Sequence, residues 1–284
     1  MQVLEETKKP DQILAPIKIE VKNVNFGYGE TEILKDINLQ VREGEFIVLM
    51  GPSGSGKSTF LRLLTNLEKP TSGEILIDHL KLTKEIPDLA VVFQDYSLFP
   101  WLTAEENIVL ALKKKWKGKK SKKELFELAE QYLALVQLGH AAKKYPGEMS
   151  GGMRQRAAIA RALSMGADLL VMDEPFGALD PITRIQLQEL VLQINQTQKK
   201  TVIFVTHDAE EAIMLADRIV MFSPGPPGKI LECIDVPFEK PRKRDELFES
   251  TEFTEFRDYL LNVMNKGIFE KLSQSEVVKD GGGI

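Results

Sequence analysis

Cysteine is nearly absent from this 284-residue sequence: Cys233 stands alone. One thiol closes no disulfide and builds no thiolate cluster. That excludes a small disulfide scaffold and points to a reducing, cytosolic setting. Long apolar runs are also missing. No window reaches the roughly 18–20 uninterrupted apolar residues of a membrane-spanning helix. The opening Met1–Pro16 is mixed in charge and lacks the apolar centre of a secretory signal. If the chain works at a membrane, a partner must hold it there. An excess of positive charge is lacking too, with 37 Lys and Arg against 42 Asp and Glu and a net charge of -5. This speaks against a nucleic-acid binder, whose footprint is basic. What remains, 28% charged and 43% hydrophobic residues, is the composition of a globular domain long enough to bury a core.

Short apolar runs bounded by turn residues are abundant: Phe46–Met50, Leu89–Phe93, Leu169–Met172, Thr201–Thr206 and Ile219–Phe222. They are rich in Val and Ile and do not alternate with polar residues, as expected of parallel strands covered on both faces. Helical patterns lie between them. Leu187, Leu190, Val191 and Ile194 share one face of Thr183–Gln198, and Leu125, Leu128, Ala129, Tyr132, Leu133 and Val136 one face of Lys122–Gln137. Strands alternating with helices predict an α/β fold with a mostly parallel sheet. Residues 18–42 alternate instead and predict short antiparallel strands. Residues 96–165 predict a helical lobe interrupting the strand rhythm. Ser223–Lys229, rich in Pro and Gly, predicts a loop. The charged C-terminal stretch ending in three glycines and Ile284 is expected to fray. The lysine-dense Lys113–Lys123 reads as a solvated face of the helical lobe, with attraction to anionic lipid head groups as the alternative.

Two motifs carry chemistry. Gly51-Pro-Ser-Gly-Ser-Gly-Lys57-Ser58-Thr59 fits the phosphate-binding pattern GxxxxGK[ST]. It follows an apolar strand and precedes a helical run, Ser58–Leu67. Gly51, Ser53, Gly54, Ser55, Gly56 and Thr59 would ring the phosphates with backbone N–H groups, helped by the helix N-terminus. Lys57 would reach the terminal phosphates, and Ser58 would ligate Mg²⁺. Leu169–Glu174 is an apolar strand ending in two carboxylates. Asp173 would hold the Mg²⁺ shell, and Glu174 would polarise a water in line with the terminal phosphate.

Ser150-Gly-Gly-Met153-Arg-Gln155 lies between these motifs. Ser150 reads as a helix N-cap, and Gly151 and Gly152 permit close approach of a phosphate to that helix end. The stretch resembles the LSGGQ signature of ABC ATPases, departing at Met149 and Met153. Met153 in place of Gln resembles importers for nitrate, sulfonate, taurine and bicarbonate. The resemblance spans about residues 18–230 and implies a P-loop NTPase with a RecA-like core, an N-terminal antiparallel β subdomain and a helical subdomain. It places the cassette at 18–234 and a C-terminal helical tail at 235–284.

Further roles follow from the resemblance. Tyr28, 23 positions before Gly51, matches an aromatic that stacks on adenine. Gln94 matches the Q-loop glutamine that senses Mg²⁺ and the attacking water. Asp180 belongs to Ala178-Leu-Asp180, which matches the D-loop at a dimer seam. His207 matches the switch histidine that contacts the terminal phosphate. His79 and His140 receive no role. The family implies ATP and Mg²⁺ as cofactors and a second, head-to-tail cassette completing each site. It also implies transmembrane permease subunits docked through loop 95–106, a solute-binding protein acting through them, no nucleic acid, and a peripheral place on the cytoplasmic face of the membrane. Loop 95–106 is rich in aromatics for a loop: Phe99, Pro100 and Trp101 make either a socket for a permease helix or a packed loop of the helical lobe. Pro237, Pro241–Arg244, Phe253, Phe256 and Leu260 resemble the ends of nitrate-type subunits, and equally an ordinary amphipathic terminal helix. An ABC ATPase of mechanical signalling and an exporter subunit are the competing readings.

Overall fold

The computed structural model describes residues 15–82 and 88–280, with side chains as far as residue 266. The chain opens with a hairpin of two twelve-residue strands, β1 (Ile17–Tyr28) and β2 (Thr31–Arg42). They are longer than the short strands expected from residues 18–42, because register shifts at Val21–Val24 and Val24–Phe26 let one twisted ribbon continue past its polar interruptions. With β4 (Ser72–Ile77) and β5 (Leu80–Lys81) they form an antiparallel sheet in the order β2-β1-β4-β5.

The central sheet has the order β10-β9-β3-β8-β7-β6. Its parallel members are β3 (Phe46–Met50), β6 (Leu89–Val92), β7 (Leu169–Asp173), β8 (Thr201–Val205) and β9 (Arg218–Phe222), and β10 (Ile230–Asp235) closes the edge antiparallel to β9. Every residue of β3, β7 and β8 is buried. The absence of alternation now has its cause: both faces are covered. Phe46, Val48, Met172 and Phe204 pack towards the helical lobe, into one core with Ile108 and Ile159. Ile47, Leu49, Val171 and Ile203 face the other way, into a second core with Ile19, Val24 and Ile37 of the antiparallel sheet.

Helix α1 (Lys57–Leu64) is sandwiched in that second core through Phe60, Leu61, Leu63 and Leu64. It stops three residues short of the expected Leu67. Asn66 takes a left-handed turn at φ 58, and the Leu67 N–H reaches back to the Arg62 carbonyl at 2.9 Å, a C-terminal cap that Asn tolerates. The helical lobe holds α2 (Ala104–Trp116), α3 (Lys122–Leu135) and α4 (Gly151–Met165). Thr103 with Glu106, and Ser121 with Glu124, close capping boxes at the starts of α2 and α3. The lobe's helices thus begin at Ala104, and residues 96–103 are loop. Lys113–Lys115 fill the last turn of α2, where cations suit the helix dipole.

Helices α5 (Pro181–Gln198) and α6 (Ala209–Leu215) flank β8 in sequence. Ser223–Lys229 is a loop, tied back by a bridge from Gly228 to Leu34. The chain then runs through α7 (Arg244–Phe248) into α8 (Thr251–Asp280). Phe253 and Leu260 are buried on one face of α8. The terminal glycines lie outside the described residues. Phe60 is fully buried and Leu67 is 62% exposed. Phe60→Ala should therefore cost about 3–5 kcal/mol, and Leu67→Ala about 0.5 kcal/mol or less. Equilibrium urea unfolding measures both, and similar costs at the two positions would contradict the sandwich.

Candidate active site

Residues Gly51–Gly56 join the buried end of β3 to the first turn of α1, so the phosphate-loop motif stands at the mouth of the central sheet. Two of its glycines are required by geometry. Gly56 caps α1 at φ 88, and a Cβ there would meet Leu34 Cδ2 at 2.5 Å. Gly51 has φ 148, and a Cβ there would meet the Phe222 carbonyl at 2.7 Å. Only glycine lets the backbone turn so sharply between strand and helix.

Lys57 is buried at the base of this loop. Its ammonium donates to the carbonyl oxygens of Gly51 at 2.8 Å and Pro52 at 2.9 Å, and to Ser55 Oγ at 3.1 Å. Those three acceptors use the three protons of the amine. Burial pushes the Lys57 pKa down, and the carboxylates of Glu174 and Asp173 pull it back up.

Strand β7 delivers both carboxylates. Asp173 is 7% exposed. The Ser58 hydroxyl donates to its carboxylate, yet Oδ1 is buried with no hydrogen-bond partner. Burial raises the Asp173 pKa, and the neighbouring Glu174 adds to the rise against the pull of Ser58 and Lys57. An orphaned, desolvated carboxylate oxygen beside a hydroxyl is a hard-oxygen donor set that suits Mg²⁺. Among the described residues no cluster of three or more His, Cys, Asp or Glu could hold a metal by itself.

Glu174 sits one residue on, at φ 45. That left-handed backbone, costly for a glutamate, swings its carboxylate out of the strand direction towards the loop. There, Gln94 Nε2 lies 3.5 Å from one carboxylate oxygen and His207 Nδ1 lies 3.4 Å from the other. Gln94 follows β6, Glu174 follows β7, and His207 follows β8. Three adjacent parallel strands therefore bring the three side chains together at their C-terminal ends, where α/β sheets bind ligands. These residues and the loop line a cavity of about 320 Å³. A wider hollow of about 860 Å³ opens against the tail around Arg242 and Phe256, without a ring of phosphate donors.

The other expected site residues stand outside that cavity. Tyr28 ends β1, half exposed, with its hydroxyl on Glu68 Oε1 at 3.2 Å. Ser150 caps α4, accepting from the Met153 N–H at 3.3 Å. Gly151 approaches the Tyr96 hydroxyl, and Gly152 the Ala178 carbonyl. Asp180 caps α5, accepting from the Thr183 N–H at 3.0 Å, which lowers its pKa. Within one chain, then, the Ser150–Gly152 turn packs beside the segment carrying Asp180, and none of its residues lines the cavity at the phosphate loop.

Two positioning residues escaped the sequence reading. Asn107 is fully buried; it accepts from the Phe99 N–H and donates to the carbonyls of Phe99, Leu102 and Thr103. Arg161 of α4 donates to the Ser97 carbonyl at 2.7 Å and stands over the Phe99 ring. Together they hold loop 95–106 so that Phe99 and Trp101 remain exposed with ring centroids 5.5 Å apart. An asparagine on the inward face of α2 was the one available signal.

The fold and this arrangement define a P-loop nucleotide-binding class. The chain belongs to the ABC transporter family, whose pattern it matches over residues 34–177. It is 43% identical to the nitrate transport protein NasD of Klebsiella oxytoca, over 83% of this chain and 90% of that protein. It is 44% identical to the bicarbonate transport ATP-binding protein CmpC of Synechocystis sp., over 84% of this chain and 36% of that protein, so it spans about a third of that relative's length. Among solved structures it resembles the dimeric, post-hydrolysis state of the ATP-binding cassette MJ0796 bound to ADP and Pi. The TM-score is 0.72 at 36% identity, covering 78% of this chain and 100% of that one.

The raised pKa of Asp173 has a thermodynamic consequence. Its penalty on folding is fully present above the folded pKa and fades as pH falls towards the unfolded value. Asp173→Asn should therefore raise the thermal midpoint of the nucleotide-free protein at pH 8, by a margin that narrows as pH falls through the carboxylate range. It should also remove the Mg²⁺-dependent part of any nucleotide-induced rise. Calorimetry at several pH values, with and without MgATP, checks both. A variant less stable than wild type at pH 8 and equally responsive to Mg²⁺ would contradict this assignment.

Proposed function

We propose that this chain is the ATP-hydrolysing subunit of an importer for a small anion of the nitrate or bicarbonate type, working as a head-to-tail dimer. The observation that carries the reading is the Gln94–Glu174–His207 group at the mouth of the phosphate loop. Its support comes from the relatives, named for nitrate and bicarbonate transport, and from the dimeric cassette with ADP and Pi.

In this reading Gly51–Gly56 and Thr59 cradle the phosphates, and Lys57 gives up its loop carbonyls for phosphate oxygens. Tyr28 stacks on the adenine. Ser58, Asp173 and Gln94 would hold Mg²⁺, whose charge would offset that of the terminal phosphates. Glu174 takes a proton from the attacking water as its oxygen bonds to the terminal phosphorus and the bond to ADP breaks. His207 steadies the phosphate as charge moves. Ser150, Gly151 and Gly152 of a second copy supply the other wall, presenting the N-terminus of α4 to the phosphate, with Asp180 at the seam. Their absence from the lining of their own chain's phosphate cavity supports this. ATP binds the closed dimer more tightly than the open one, so binding favours closure and hydrolysis favours release.

Closure must reach a membrane partner, since no described helix is long and apolar enough to cross a membrane. The exposed Phe99 and Trp101, set on the loop between Gln94 and α2, suit a short helix from a permease at the cytoplasmic face. A solute-binding protein would act through that permease. The cassette would occupy residues 18–234 and the tail 235–284.

Two variants test the reading. Glu174→Gln should keep ATP binding, accumulate an ATP-bound dimer and lower kcat by about 100-fold or more. Hydrolysis at the normal rate would remove Glu174 as the base. Ser150→Arg should bind ATP on the monomer with unchanged affinity and lose ATP-driven dimerisation, as read by light scattering. Undiminished dimerisation would overturn the composite site.

A further inference from the structure

The C-terminal segment is fastened to one internal element with unusual thoroughness. That element is α6, the helix that begins two residues after His207. At its far end, the Arg242 Nη1 donates to three carbonyls, those of Ile213, Met214 and Ala216. Its Nε and Nη2 both donate to the Phe238 carbonyl. The guanidinium is desolvated enough to bring its pKa down to about 10. At the near end, Arg257 of α8 pairs with Glu210 in the first turn of α6 at 3.4 Å. Between these points Phe253 and Leu260 of α8 are buried in the core that also holds Ile213.

A second link runs through the interior. Arg244 of α7 donates to Gln188 Oε1 on α5. The Gln188 amide donates to Glu211 Oε1 on α6 at 2.8 Å. The Glu211 carboxylate is bonded in turn by the Thr206 hydroxyl, and Thr206 is the residue before His207. That same hydroxyl accepts from the Asp208 N–H at 3.1 Å. Gln188 and Glu211 are 4% and 8% exposed. Glu211 and Arg184 also line a cavity of about 90 Å³ that touches Glu174 and His207 from behind.

A buried polar chain of this kind is expensive unless each member is satisfied, and it holds one arrangement when it is. His207 itself is 72% exposed at the side chain, so little packing fixes it from the front. Beyond the 3.4 Å contact with Glu174, its orientation comes from its backbone, which Thr206 and Asp208 anchor. We propose that the C-terminal segment is a positioning element for His207: Arg242 and Arg257 fix α6, and the Arg244–Gln188–Glu211–Thr206 chain fixes the backbone that carries the histidine. The role of His207 in hydrolysis rests on the function proposed above; the positioning itself does not. The tail thereby becomes a place where a bound partner can alter turnover without touching nucleotide.

The sequence contains three histidines, which makes the test direct. In full-length protein labelled with ¹⁵N-histidine, Arg244→Ala should move the His207 imidazole signals and leave those of His79 and His140 in place. Assignment follows from His207→Ala. Steady-state kinetics on the same protein should show kcat lowered by about 3–10-fold with KM for ATP within about 2-fold, since the phosphate loop is untouched. Arg244→Lys, which keeps one donor, should recover most of the loss. Gln188→Met, close in volume but unable to relay, should reproduce the effect without Arg244 being changed. His207 signals unmoved by both Arg244→Ala and Gln188→Met would overturn the proposal. So would kcat and KM drifting together with the thermal midpoint, the mark of a loosened fold. If wild-type protein hydrolysed no ATP, the proposed function would fail, while the histidine signals would still decide the positioning.

Discussion

The Lys57 ammonium is a cation held out of water by the chain's own loop carbonyls, with two carboxylates close behind it at the end of β7. Such a charge is tolerated only where acceptors surround it. The loop must therefore curl tightly around the amine, and the curl needs glycine at Gly51 and Gly56. The loop must also be fixed at both ends. Strand β3 fixes one end, buried in the middle of the parallel sheet, and α1 fixes the other, wedged between two sheets. The two-sheet architecture can be understood as the support this one buried charge requires. A polyphosphate that displaces the carbonyls brings more negative charge than they do, so a site poised in this way favours it.

The parallel strands do the rest by register. Because β6, β7 and β8 lie side by side and run the same way, the residues that follow them emerge together. Gln94, Glu174 and His207 converge although they come from stretches far apart in sequence. The left-handed turn at Glu174 is the local strain this convergence carries. The buried Asp173 is a second cost, since its Oδ1 has no hydrogen-bond partner.

Much of this was legible in the sequence, and the reasons are particular. Phe46–Met50, Leu169–Met172 and Thr201–Thr206 read as buried parallel strands because both faces of each are apolar. The phosphate loop could be read because its glycines and Lys57 are contiguous. What could not be read was what depends on distance along the chain. Asn107 fastening Phe99, Arg161 reaching Ser97, and Arg244 reaching Glu211 through Gln188 are single polar side chains whose partners lie on other elements. Apart from an asparagine falling on the inward face of α2, nothing in their local pattern marks them. Helix α1 ends before the apolar Leu67, which continues the helical pattern, because Asn66 turns the chain first. The first two strands outrun their alternating pattern because their polar interruptions sit at irregular register.

In the proposed mechanism each site is built from two chains. The Ser150–Gly152 turn does not line the phosphate-loop cavity of its own chain, and the proposed head-to-tail arrangement brings the two together across the dimer. The most direct measurement mixes two inactive proteins, one carrying Lys57→Ala and the other Ser150→Arg. In the mixed dimer, the intact loop of one chain faces the intact turn of the other. With a two-chain site, ATP hydrolysis, absent from each protein alone, returns on mixing. A mixture as inactive as its components would contradict it.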